Sequence, residues 1–213
     1  MKNPRADAAL FEKHMQFELM NEQNLLMTMC LDMALTTIQI EHNNITAGGL
    51  DFLVDDNYII PDDRKQIFKI GFALGLNGDY YSAIHLLVPQ IENLFRELVK
   101  LCGGLVTKLT DMHIEEWNSM SYIFNSPELV DCYDEDILFI FKGLLIEDVG
   151  ANLRNKVAHG MISSAEGNGS LARYFLVATL KLCSWYSNSS RAILSKLVPD
   201  MNNTLASAFV SKK

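Results

Sequence analysis

Apolar positions recur at helical spacing along nearly the whole chain, and no run alternates apolar and polar residues long enough to read as a strand. The pattern predicts an all-α fold. Residues 6–20 and 22–41 read as two helices, the second ended by the Asn- and Gly-rich loop 43–49. Pro61-Asp62-Asp63 looks like the start of a helix running to Leu76, because proline fits the first turn and carboxylates favour the positive end of the dipole. Gly71 and Gly75 lie one turn apart within it and predict close helix packing. No Gly-Lys-Ser/Thr follows them to make a phosphate loop. Asn77-Gly78 marks a turn, after which Asp79 can cap a long helix that Gly103-Gly104 ends and Pro89 should kink. Leu87, Ile91, Leu94, Leu98 and Leu101 form its apolar stripe, and Glu92 and Arg96 are spaced to meet elsewhere on its surface.

The periodicity weakens over 105–126, which predicts short helical pieces on a surface excursion. Asp134-Glu135-Asp136 then opens another apolar helix. A polar loop, 163–169, leads to a strong helix over 170–187, striped by Leu171, Tyr174, Phe175, Ala178, Leu182 and Trp185, and helical residues resume over 190–197. Residues 25–40 are apolar on nearly every face, yet they are short for a bilayer and include Asp32. They predict a central buried helix or one at a subunit interface, not a membrane span.

Composition narrows the class. A chain of 213 residues with 49% apolar and 21% charged positions can bury a core without disulfides or metal staples. It divides into an N-terminal helical extension, 1–60, and a helical domain, 61–213. The net charge of -8 opposes non-specific attraction to polyanions, so any nucleic-acid chemistry must use a local basic pocket, a specific RNA shape or a partner that supplies the positive surface. The four cysteines, Cys30, Cys102, Cys132 and Cys183, are far apart in sequence, form no C-x-x-C and sit mostly among apolar residues, which predicts reduced, structural thiols. The charged start, MKNPRADAALFEKHM, lacks the apolar core of a signal peptide, so the cytoplasm is the expected location and sequons such as Asn44-Ile45-Thr46 are chance matches.

The five histidines show no H-E-x-x-H and no close cysteine partner, and there is no G-x-S-x-G. No metal and no cofactor is called for. The segment that carries chemistry is 148–160, DVGANLRNKVAHG, which places a permanent cation, an amide and an imidazole within two helical turns. Cleaving RNA without a metal needs a proton acceptor for the 2′-hydroxyl, a donor for the leaving oxygen, and positive charge at the phosphorus. His159 suits the first two, since a free imidazole titrates near about 6.5, and Arg154 suits the third through its bidentate guanidinium. Asn155 can orient the ring or hold a phosphate oxygen. On an ideal helix Asn155 and His159 are about 40° apart, while Arg154 and His159 are about 140° apart. Either the segment is irregular near Gly160, or the long Arg154 side chain wraps round, or a second subunit completes the site across a two-fold axis. The last is favoured, because two copies would give each phosphate both kinds of group.

R-N-x-x-x-H followed by Gly resembles the signature of the HEPN superfamily of nucleotide-binding and ribonuclease domains. The longer context, Gly78-Asp79-Tyr80, AIHLLVPQIENLFR over 83–96 and NLRN..AHG over 152–160, is similar to an HEPN-like family marked by a P-Q-I-E…R helix and an N-L-R-N…A-H-G helix. The resemblance covers residues 60–185. It implies an up-and-down four-helix bundle, a homodimer with the motifs facing one cleft, and metal-independent endoribonuclease activity in toxin, phage-defence or RNA-processing systems. Arg154 and His159 take the signature positions and Asn155 the polar one. Glu92, Arg96, Asn152 and Lys156 are candidates for binding RNA or a nucleotide, although Glu92 and Arg96 equally suit a helix ion pair. A non-catalytic module binding a nucleotide or a regulatory protein, and a helical scaffold, are the alternatives.

Overall fold

Three of the helices here end on the same backbone device, and those ends set the frame of the molecule. The computed structural model describes residues 4–110 and 113–197; the end of the 61–213 division, beyond 197, lies outside the described residues. Helix α1 spans Pro4–Leu26 and passes without a break through a π-helical turn, Met27–Leu31, into α2, Asp32–Glu41. The two helices expected here are thus one rod. Residue 21 is an asparagine with no proline or glycine beside it, so nothing stops the first helix there.

Short turns of helix, Ala47–Leu50 and α3, Asp51–Val54, lead to the 3-10 turn Asp62–Arg64 and α4, Lys65–Leu76. Then come α5, Tyr80–Leu101; α6, Met120–Phe124; α7, Pro127–Cys132; α8, Glu135–Leu145; α9, Leu153–Ala158; α10, Ser164–Gly167; α11, Ser170–Tyr186; and α12, Asn188–Leu197. The described residues form an all-α bundle with one small exception. Two short strands, β1, Thr107–Leu109, and β2, Glu115–Trp117, pair antiparallel as a hairpin where short helical pieces were expected. Its strands are three residues each, too short for alternation to be legible.

Helices α4 and α5 form the central hairpin. At its turn Gly78 adopts φ 94°, and Asp79 N–H reaches Leu74 O while Gly78 N–H reaches Gly75 O, the paired bonds of a Schellman end. Asp79 then caps α5 by accepting from Ser82 N–H at 3.1 Å. The expected close packing is present. A Cβ on Gly71 would fall 2.7 Å from Leu87, and one on Gly75 would fall 2.6 Å from Leu176, so α4 lies against both α5 and α11. Helix α5 continues through Pro89 and buries Leu87, Ile91, Leu94, Phe95 and Leu98.

One apolar core runs through the molecule and takes in Met27, Leu35, Leu53 and Val54 from the first sixty residues. The rod, however, is not a central buried helix. Its inner side is held largely by polar bonds: Glu12 to Lys142, Gln16 Nε2 to Phe139 O, Asn24 to Ser170, Asp32 to Arg173 and Gln39 to Tyr80. Leu25, Met29, Met33 and Ile40 face outward and are exposed. Among the described residues no helix is long and apolar enough to cross a membrane. All four cysteines are free; Cys183 is a core residue, Cys102 is half-buried, and Cys30 and Cys132 are exposed, so they are not all the structural thiols expected.

Candidate functional site

Asn152 opens α9 in the left-handed region, at φ 50°, a conformation that asparagine tolerates better than most residues. Its side chain fastens the turn on both sides, donating to Asp148 Oδ1 at 3.0 Å and accepting from Asn155 Nδ2 at 2.8 Å. The far end of α9 is equally fixed. Gly160 takes φ 63°, Met161 N–H bonds Lys156 O at 2.8 Å and Gly160 N–H bonds Val157 O at 3.2 Å, so the glycine of the motif ends the helix in a second Schellman arrangement. A side chain at Gly160 would meet open space, which leaves backbone conformation as the reason for glycine there.

Between these ends α9 lies on α5 and α8 and delivers Arg154 to Glu92. Arg154 Nε donates to Glu92 Oε2 at 2.9 Å and its Nη2 to Oε1 at 3.4 Å. Arg96 Nη2 donates to the same Oε1 at 2.7 Å and its Nη1 to Asn118 O at 3.2 Å. One carboxylate thus sits between two guanidiniums, with side chains 19% (Glu92), 12% (Arg96) and 33% (Arg154) exposed. The triad keeps one net positive charge. Glu92 and Arg96 do form the helix ion pair that their spacing allowed, and the same carboxylate binds a residue sixty-two positions away.

The remaining candidates fall to either side. Asn155 Oδ1 accepts from Arg154 Nη1 at 3.1 Å, so its amide is committed to Arg154 and Asn152 and not to His159. Lys156 leaves the cluster and bonds Glu166 Oε1 at 3.0 Å. Glu166 closes a capping box with Ser163, and the Ser163 backbone N–H, then Lys156 and the Ser163 hydroxyl, draw its carboxyl down to about 2. His159 caps the C-terminal end of α9, is exposed, and makes no side-chain hydrogen bond or ion pair with a described residue. Arg154, Asn155, Asn152, Glu92 and Arg96 are therefore one network, while His159 and Lys156 stand at its edges.

Sequence reasoning missed the hairpin's part. Arg96 and Lys100 lie 5.6 and 5.7 Å from the ring centroid of the exposed Trp117, and the Asn118 carbonyl completes the shell of Arg96. An open hollow of about 780 Å³ adjoins them, lined by Leu105, Lys108, Glu115, Asn118 and Tyr122. Nothing in the spacing of HIEEWNSM announces either residue, since both reach Arg96 only through the strand pairing. Chemically, a guanidinium has five N–H donors. Three of those on Arg154 are engaged, which leaves two for an anion, and the His159 ring beyond it is exposed. No family model, curated protein or solved structure matches this chain.

Proposed function

We propose that the protein is an HEPN-like endoribonuclease that works as a homodimer in the cytoplasm and cuts RNA without a metal, leaving 2′,3′-cyclic phosphate and 5′-hydroxyl ends. His159 is the general acid and base, Arg154 holds the charge that develops on phosphorus, and Asn155 fixes the Arg154 guanidinium. The observation that carries the reading is the shared carboxylate of Glu92. It joins the P-Q-I-E…R helix to the N-L-R-N…A-H-G helix, the two elements on which the family resemblance rests, beside a histidine whose ring is unengaged. A partner subunit would bring a second His159 toward the free N–H groups of Arg154, which answers the separation of the two residues on α9. A toxin or phage-defence role follows from the same resemblance.

The test is cleavage of mixed RNA in EDTA by the wild type, His159→Ala and Arg154→Ala, with end-group analysis of the products. Cleavage lost in both variants supports the reading, and equal traces for all three proteins sink it. One observation favours a second reading. Arg154 already shares the Glu92 carboxylate with Arg96 in an acidic chain, which suits a non-catalytic module that binds a nucleotide or a regulatory protein. A thermal shift with nucleotides, unaccompanied by cleavage, would select it.

A further inference from the structure

Cys102 and Cys132 face each other where the end of α5 meets α7, although twenty-nine residues separate them in the sequence. Both stand on fixed backbone. Cys102 caps α5, where its N–H bonds Leu98 O at 3.0 Å, and Gly104 N–H bonds Val99 O at 2.9 Å to lock the end. Cys132 is the last residue of α7, and the next residue, Tyr133, is anchored by its N–H to Leu129 O at 3.0 Å and packs on the core. The facing of the two helices has a second witness. Glu128, one turn before Cys132, presses its Cβ to 3.3 Å from the place a Cβ on Gly104 would take. Two α7 residues on one face thus meet positions 102 and 104 at the end of α5.

We propose that Cys102 and Cys132 are an oxidation site, a dithiol that a hydroperoxide converts to a reversible disulfide tying α7 to the end of α5. Cys132 is exposed and Cys102 only partly so, which assigns the first attack to Cys132. Its thiolate attacks one peroxide oxygen, the O–O bond breaks, and hydroxide leaves to become water, giving a sulfenic acid. The Cys102 sulfur then attacks the Cys132 sulfur; the S–O bond breaks and the hydroxyl departs as a second water with the thiol proton. Two thiols and one hydrogen peroxide become one disulfide and two waters, with two electrons passing to the peroxide. Burial, then the neighbouring Cys132 side chain, pushes the Cys102 thiol up to about 12, so it stays protonated. Cys30, exposed and without a thiol beside it, and Cys183, fully buried, are internal controls.

Reduced full-length protein is treated with one equivalent of hydrogen peroxide, quenched with N-ethylmaleimide and mapped by mass spectrometry. The expected result is a 102–132 cross-linked peptide, loss of two hydrogens, and recovery of both thiols with dithiothreitol. Cys132→Ser should abolish the link, Cys30→Ser should leave it intact, and Cys102→Ser should leave a Cys132 sulfenic acid that dimedone traps. Because Cys132 is exposed, its serine variant should keep the wild-type melting curve. Full alkylation of Cys102 and Cys132 after peroxide overturns the proposal, as does a cross-link that joins either one to Cys30 or to another molecule.

Discussion

Glu92 holds two guanidiniums from different helices, and removing it leaves both partly buried cations without their common anion. Glu92→Ala should therefore lower stability by about 1–3 kcal/mol in urea denaturation, less than a fully buried pair because Arg154 is one-third exposed. Adding Arg154→Ala should restore part of that loss, since one uncompensated charge goes with it. A single variant within about 0.5 kcal/mol of the wild type would mean that the triad contributes nothing. Glu166 gives a pH signature. Its carboxyl titrates at about 2 in the fold against 4.5 in the unfolded reference, so its contribution is complete above 4.5 and disappears as pH falls through about 2. The protection of the Ser163 and Glu166 amides against hydrogen exchange, taken relative to the intrinsic rate at each pH, should fall across that window, and Glu166→Gln should remove this pH dependence. The sequence made Glu92, Arg154 and Asn155 legible as candidates through spacing and family pattern. It could not show that Asn155 turns to Arg154 instead of His159, because Asn152 in its left-handed turn draws the Asn155 amide backward.

The helices most legible at the level of elements are α4, α5, α8 and α11, whose apolar stripes are strong; at α5 and α8 the acidic starts agree with them, Asp79 and Asp134 each accepting N-terminal amides. The N-terminal rod was misread for a physical reason. Its inward side carries Gln16, Gln23 and Asn24 while Phe11, Met29 and Met33 face out, so hydrophobic spacing points away from the surface that is docked. The π turn at Met27–Leu31 then shifts the face partway along, and no spacing rule anticipates it. Where glycine spacing was taken as a packing signal, the packing is steep. Gly75→Ala would drive a Cβ to 2.6 Å from the buried Leu176 and 3.3 Å from Ala83, with room to move only by repacking Leu176. A loss of about 1–3 kcal/mol is expected by thermal or urea unfolding. Gly48→Ala, where nothing lies within 4 Å, is the control that should change little.

At the scale of the whole molecule the question is how a histidine and an arginine on different sides of one short helix could act on one phosphate. The rigid ends of α9, Asn152 before it and Gly160 after it, argue against a local rearrangement that would bring them together. The proposed second subunit makes a quantitative demand. In a dimer whose two sites each take Arg154 from one chain and His159 from the other, mixing Arg154→Ala with His159→Ala creates heterodimers in which one site is intact and the other lacks both groups. Random exchange puts half of the dimers in that form, so an equal mixture should recover about one quarter of the wild-type rate from two inactive parents. If each chain carried its own complete site, every site in the mixture would lack one group and the rate would stay at the level of the parents. Light scattering at micromolar concentration decides whether the experiment applies at all: a mass near twice 24.0 kDa is required. A strictly monomeric chain would end the composite-site argument before any RNA is added.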